Sequence, residues 1–510
     1  MNADNSKDTL VTQGAAARIP NKWTVMIYHS GDADLGPEFV WAMKEIARVG
    51  TPDGVEVVAV MDSVAPTPYE FNIKPDEGPR ARALGQRRSR LFGRHGFAKK
   101  LSIPDQDKQS GGQETGRSLH GVDMASEANL ASFISKTVKE HRAEHYMLIL
   151  SGHGAGIIGD TLLRDQGAGT YLTIPMLDRA LRDATEKIIQ SSKEAREEKP
   201  IDILGFDACC MMTAEVGYSL KGDVSHIVGS EGFMTMDGWP YHEILECLRE
   251  DPDIKPPEFA KQIVRRCVDY YSDFARVGTS IDLAACDLNP DGWEKLTEAL
   301  GRLRVKLMED VLYESKWKTP PHVVNSIIAA HWYAQSYGSE QYVDLYDFCV
   351  RLADTAPDFK PQCQAVAHAV KALVKSCYAG ADFQESNGLS LYFPWFATKR
   401  ELKRYRSISE ADMERPTPFE EQTGWGQFLE FFLGHTRRST RGEDVLDESL
   451  RIDIPPEGYD YADVHQIGAP ANTRTGTIVN TKTGTIVNTK GQLIFPRVKN
   501  PALASYEDEC

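Results

Sequence analysis

Two short apolar runs, each ending at a reactive side chain, limit what this chain can fold into. They are Tyr146-Met-Leu-Ile-Leu-Ser-Gly-His153 and Ile201-Asp-Ile-Leu-Gly-Phe-Asp-Ala-Cys209. Each has the length and composition of a strand buried on both faces of a parallel sheet. The first stops in a glycine-flanked turn, Gly152-His153-Gly154. The second stops at Cys209, and Met211 to Val216 reads as the start of a helix. Open α/β sheets collect their reactive groups at the carboxyl ends of parallel strands. Adjacent strands of this kind bring an imidazole and a thiol to one edge, as a cysteine nucleophile requires.

The surrounding pattern supports such a sheet. Residues 23–28 and 55–61 read as strands, with a helix over 37–49 that carries Pro37 in its first turn. Strand, helix and strand at this spacing form a βαβ unit. Residues 127–141 are amphipathic, 155–174 read as a loop, 175–190 as a helix, 191–200 as a charged connector and 224–230 as a strand. Beyond 256 the pattern turns helical, over 259–274, 293–308 and 343–353. Residues 279–283 and 389–393 are strands that extend or cover the sheet. A chain of 510 residues exceeds one ordinary core. Four regions are expected: a flexible extension (1–20), a core carrying both reactive residues (21–255), a helical second lobe (256–435) and a tail (436–510). The tail repeats Thr-Gly-Thr-Ile-Val-Asn-Thr-Lys at 475–482 and 483–490, which suggests a small hairpin or an attachment element.

Composition excludes several roles. Hydrophobic content of 41% and charged content of 26% describe an ordinary soluble chain. A net charge of -16 opposes binding to nucleic acid or an anionic membrane. No apolar run approaches the roughly 20 residues of a membrane span. The first ten residues lack an apolar leader, so a cytoplasmic location is expected, or a secreted one if a leader has been removed. Nine scattered cysteines without a C-x-x-C pair point to reduced, buried thiols. The basic run over 78–100 reads as a solvated loop, with a docking site, a clamp on acidic surface or a protease-sensitive loop as alternatives.

The ordered set Trp23-Thr-Val-Met-Ile-Tyr28, Gly31-Asp-Ala-Asp-Leu35, Ser151-Gly-His-Gly154, Asp207-Ala-Cys209, Ser230-Glu231, Asp237-Gly-Trp-Pro-Tyr241 and Gly388-Leu-Ser-Leu-Tyr-Phe-Pro394 resembles the clostripain family of cysteine peptidases, in the caspase-like clan. Tyr171-Leu-Thr-Ile-Pro175 adds to it. The resemblance implies an α/β fold, a caspase-like αβα sandwich with a mostly parallel central sheet, to which the pattern above adds the second lobe and a short β-rich tail. It implies an endopeptidase acting on protein or peptide substrates after Arg or Lys, through a dyad of Cys209 and His153, and cut by itself on activation. The backbone N–H groups of Gly154 and Cys209 would hold the oxyanion. Asp207 and Asp237 would be pocket acids, with Ser230 and Glu231 lining the pocket. Each has a plainer alternative: Asp207 orients a turn, Asp237-Gly238 is a turn dipeptide, and Glu231 faces solvent. Cys210 stands where the family has a bulky apolar residue, which makes Cys209 the nucleophile. Its pKa is expected to be lowered by His153 and by the N-terminus of the helix that follows.

Arg164 is the candidate autocleavage site, with Arg88 and Arg90 as alternatives. No cofactor or metal is required. Some relatives respond to calcium, but Asp32, Asp34 and Glu38 lack the spacing of an EF-hand loop. Neither nucleic acid nor membrane is an expected partner, and a monomer is expected. Two competing readings remain at this point: an inactive regulatory scaffold, and a metal-dependent hydrolase using Asp32, Asp62, His153 and Asp207.

Overall fold

The computed structural model describes residues 21–30, 35, parts of 39–46, 50–62, 123–158, 162–165, 169–191, 200–272, 280–317, 322–338, 340–407 and 415–441, and short strands at 69–73, 98–100 and between 477 and 495. The expected extension 1–20, the acids Asp32, Asp34 and Glu38, and Arg88 and Arg90 lie outside the described residues.

Fourteen strands precede the tail: β1 (Asn21–Ser30), β2 (Val55–Asp62), β3 (Tyr69–Ile73), β4 (Ala98–Lys100), β5 (Ala143–Ser151), β6 (Leu162–Asp165), β7 (Thr170–Leu172), β8 (Ile201–Asp207), β9 (Val224–Gly229), β10 (Asp282–Asp287), β11 (Ser336–Tyr337), β12 (Tyr342–Asp344), β13 (Val374–Ala379) and β14 (Ser390–Tyr392). Nine of them form one sheet in the order β13-β10-β9-β8-β5-β1-β2-β3-β4. From β9 to β2 every neighbouring pair is parallel; the pairs at both margins are antiparallel.

Both faces of the sheet are covered, which explains the near-continuous apolar runs. Alternation survives inside them. Met26, Tyr28, Leu148, Leu150, Leu204 and Phe206 pack into one core with the helices Glu127–Glu140 and Ile174–Ser191. Val25, Ile27, Met147, Ile149 and Ile203 pack into the other, against the helices Tyr241–Glu250 and Pro256–Ser272. Burial of each such side chain contributes about 1.5–3 kcal/mol. The period of two along the strand thus decides which layer every residue near the strand ends will face.

Several expectations are corrected. The segment 155–174 is not one loop: β6 and β7 form a ribbon in it, because Leu162, Leu163 and Leu172 are buried. The strand expected at 279–283 runs Asp282–Asp287, one strand in from the edge of the sheet, with its small residues Ala284 and Ala285 buried. β13, unforeseen in the sequence, forms the edge beyond it. The helix expected at 343–353 begins at Leu345, capped by Asp344, whose carboxylate accepts from Asp347 N at 2.7 Å. β14 belongs to a separate sheet, β11-β12-β14. The repeat folds back as the strands Thr477–Asn480 and Thr485–Asn488, paired antiparallel. Among the described residues, no helix is long and apolar enough to cross a membrane, and no three His, Cys, Asp or Glu side chains form a metal-binding group.

Candidate active site

Register and parity build the site. Ser151 of β5 lies opposite both Asp207 of β8 and His29 of β1. All three follow, at steps of two, the residues that face the Tyr241–Glu250 and Pro256–Ser272 layer, so all three turn to that side. There they form one hydrogen-bonded chain. The Ser151 hydroxyl donates to Asp207 Oδ2 at 3.0 Å, and the Tyr241 hydroxyl donates to the same oxygen at 2.7 Å. Trp239 N donates to Asp207 Oδ1 at 3.1 Å. His29 Nδ1 lies 3.1 Å from Ser151 Oγ. In the Nδ1–H tautomer, His29 donates to Ser151 Oγ, whose own proton goes to Asp207. Burial pushes the His29 pKa down to about 3, so the ring is neutral. Burial also raises the Asp207 carboxyl above its ordinary range, against the pull of its donors.

His153 and Cys209 each lie two residues beyond this pair, on loops that touch. Gly152 N donates to Asp207 O at 3.2 Å. A Cβ on Gly154 would lie 2.9 Å from Ala208 Cβ and 3.0 Å from Cys209 N, so glycine is what allows the two loops to meet. The expected oxyanion donors, the N–H groups of Gly154 and Cys209, therefore belong to adjoining backbone.

The segment after Cys209 is held open rather than helical. Cys210 takes φ +57°, and its N–H donates to Gly232 O at 2.8 Å. Its thiol is buried, as expected for a residue packed inside. Met212 N donates to Ser230 O, and Met212 O accepts from Ser390 N, each at 3.0 Å. The helix Ala214–Leu220 starts only after Thr213, whose hydroxyl caps Val216 N at 3.2 Å. The expectation that this helix acidifies Cys209 is corrected: Cys210 to Met212 separate the thiol from its first turn, where dipole effects fade. Met234 N donates to Cys209 Sγ at 3.3 Å, and the thiol lies 3.8 Å from Met234 O. Burial, with the Asp207 and Asp282 carboxyls adding to it, pushes the thiol up to about 11. In this conformation Cys209 is half-buried, its sulfur accepting from the Met234 backbone.

The other expected site residues separate. Ser230 is fully buried, and its hydroxyl donates to Gly232 O at 2.9 Å, bracing the Cys210 turn. Glu231 does not face solvent; it is 0% exposed. Its Oε2 accepts from Gly388 N at 2.8 Å and from the Tyr337 hydroxyl at 3.2 Å, and the neighbouring Asp344 carboxyl raises its pKa further. Asp282 lies beside it, accepting from Glu231 N and Gly232 N. Asp237 is exposed on the loop that covers Asp207. Next to it Gly238 takes φ +66°, where a Cβ would lie 2.8 Å from Asp207 Oδ2. Arg164 is exposed on β6, its carbonyl accepting from the Ser30 hydroxyl at 3.3 Å. The next residue, Asp165, is buried and accepts from Met124 N at 3.1 Å.

Residues that sequence reasoning did not single out are His29, Ser151, Met234, Trp239 and Tyr241. Parity from Asp207 points to Ser151 once β5 and β8 are taken as neighbours. Nothing local marks Met234, whose backbone rather than its side chain meets the thiol.

A family model, the clostripain family, matches residues 43–432. No curated protein matches this chain. A structure of a secreted C11 cysteine protease from Bacteroides thetaiotaomicron with an irreversible peptide inhibitor is 16% identical, has a TM-score of 0.53 and covers 79% of this chain and 99% of its own. An inactive zymogen C11 protease from Parabacteroides distasonis is 18% identical, with a TM-score of 0.51 and coverage of 79% and 99%. At such identities the structures speak for a shared fold, and the family model, spanning most of the sequence, speaks for descent: the chain belongs to the clostripain family of cysteine peptidases.

Proposed function

We propose that this chain is an endopeptidase that cleaves after Arg or Lys, with Cys209 as nucleophile and His153 as general acid and base, and that the described conformation is its latent form. The observation that carries this is the pairing of Ser151 with Asp207, which sets His153 and Cys209 at equal steps beyond two adjacent parallel strands. In the reaction the thiolate adds to the scissile carbonyl, forming a thioester through a tetrahedral oxyanion held by the Gly154 and Cys209 N–H groups. His153 protonates the departing amine and then takes a proton from the water that releases the acid.

Two carboxylates support the basic preference. Asp207 lies beneath Gly238 and Asp237 lies on the exposed loop above it. A guanidinium entering past Gly238 would meet a carboxylate short of charge compensation, where a charge-assisted bond is strong. Latency is supported by the burial that raises the Cys209 thiol above its ordinary value, even though the Met234 N–H donated to its sulfur pulls the other way. Cleavage at Arg164, on the ribbon whose Leu163 N donates to His153 O at 3.1 Å, would loosen the histidine loop.

The test is hydrolysis of fluorogenic peptides ending in Arg, Lys, Asp or Leu by the wild type, Cys209→Ala and Arg164→Gln, before and after trypsin nicking. Cleavage after Arg or Lys, absent in Cys209→Ala, is expected; Arg164→Gln, which removes the trypsin site along with the autocleavage site, should stay uncut at 164 and inactive with or without trypsin. Cleavage after Asp or Leu would remove the acidic-pocket reading. Silence on every peptide after nicking would replace the enzyme with an inactive scaffold.

A further inference from the structure

The two dyad loops share an anchor outside the parallel sheet. β11 and β12 pair antiparallel with Tyr337 opposite Tyr342. Tyr342 is 1% exposed, and its hydroxyl donates to Ala155 O at 2.7 Å while facing Ile157 N at 3.2 Å and Ile158 N at 3.4 Å. One oxygen therefore gathers the turn that directly follows His153 and Gly154. Gly156, at φ +68°, lies so close that a Cβ would be 2.7 Å from Tyr342 Cζ and 2.9 Å from Cys210 O. The partner tyrosine holds the other loop. Tyr337 donates to Glu231 Oε2, between Ser230 and Gly232, the residues whose carbonyls receive Met212 N and Cys210 N. The hairpin's own turn closes the arrangement: a Cβ on Gly338 would lie 3.0 Å from the Tyr342 ring and 3.5 Å from Cys210 Sγ.

We propose that the β11–β12 hairpin is a clamp that sets the separation of His153 and Cys209, and that Tyr342 is a positioning residue for His153. This rests on the dyad reading above. A phenol suits the task because it offers a donor and an acceptor at the end of a rigid ring. Burial keeps it protonated, its pKa lying well above the usual phenol value. The turn it holds carries one member of the dyad, and misplacing a reacting group by about 1 Å costs about 100-fold.

The experiment compares Tyr342→Phe with the wild type by steady-state kinetics on the preferred peptide and by amide hydrogen exchange over 153–158. Tyr28→Phe, which removes another buried hydroxyl bonded to Met124 O at 2.9 Å, is the control for generic loss of a buried group. Tyr342→Phe is expected to lower kcat by about 10- to 100-fold with KM within about twofold, and to speed exchange over 153–158 by about tenfold or more. If Tyr342→Phe does not fold, Tyr337→Phe is expected to give a similar kcat loss with faster exchange over 230–234 instead. Unchanged kcat together with unchanged exchange, or an equal kcat loss in Tyr28→Phe, would overturn the clamp. A wild type without peptidase activity even after trypsin nicking would defeat the dyad reading, while the exchange measurement would still decide the clamp.

Discussion

The raised thiol of Cys209 gives the sharpest test of latency. Cys209 is pushed up to about 11 from an ordinary value of 9.0. A two-unit rise leaves about 100-fold less thiolate at neutral pH. A more basic thiolate is also a better nucleophile, with a Brønsted slope of about 0.4–0.5, which returns about eightfold. The uncut chain should therefore react with a small aromatic disulfide about tenfold more slowly than a free cysteine at pH 7, and more slowly still because Met234 stands over the sulfur. The rate should climb about tenfold per pH unit, without a plateau below about pH 10. The assay follows release of the aromatic thiol, with Cys209→Ala subtracted to remove the contribution of the other thiols. Trypsin nicking should lift the rate at pH 7 by about 100-fold, as the thiolate gains an imidazolium partner in place of Met234. A plateau below pH 8 in the uncut chain, or a rate equal to that of free cysteine, would refute the account of a raised thiol.

Two more predictions follow from the same turn. Burial raises Asp282 to about 6 against its backbone donors; burial and the Asp347 charge raise Asp344 to about 7; and burial with the Asp344 and Asp282 charges raises Glu231 well above the ordinary range. A carboxyl raised in the folded state holds its proton longer there than in the unfolded chain, so its contribution is complete below about pH 4 and is lost as pH rises through 6 to 7. Urea midpoints should fall across that window, and Glu231→Gln should flatten the fall; a stability that rises from pH 5 to 7 equally in both proteins would contradict this. Gly154→Ala should lower kcat by about 100-fold, because its Cβ would displace the Cys209 backbone, and an activity within threefold of wild type would show that the loops meet elsewhere.

What the sequence made legible was what neighbouring residues decide. The apolar runs before His153 and Cys209 are continuous because helices cover both faces, and their alternation still sorts Ile149 from Leu150 between the two cores. The depth of Glu231 was illegible because Asp282, Asp344 and Gly388 create it, each 50 or more residues away in the chain. The thiol of Cys209 was misjudged for a different reason. Met211 to Val216 has the composition of a helix start, but Cys210 is drawn into φ +57° by Gly232 O, and Met212 is taken up by Ser230 and Ser390.

The same contacts bear on where one lobe ends and the next begins. A unit closing at 255 would leave β9 without its antiparallel neighbour β10. It would also strip Glu215 of Tyr392 N, at 3.0 Å, and the Tyr405 hydroxyl, at 2.9 Å, both of which its carboxylate accepts. Leaving a buried carboxylate without donors costs several kcal/mol. The loop of the nucleophile would lose Ser390 at Met212, and the loop of the histidine would lose Tyr342. The parallel strands bring the imidazole and the thiol to one edge. Residues beyond 330, Tyr337, Tyr342 and Ser390 among them, hold the loops that carry them, so the candidate dyad draws on both lobes.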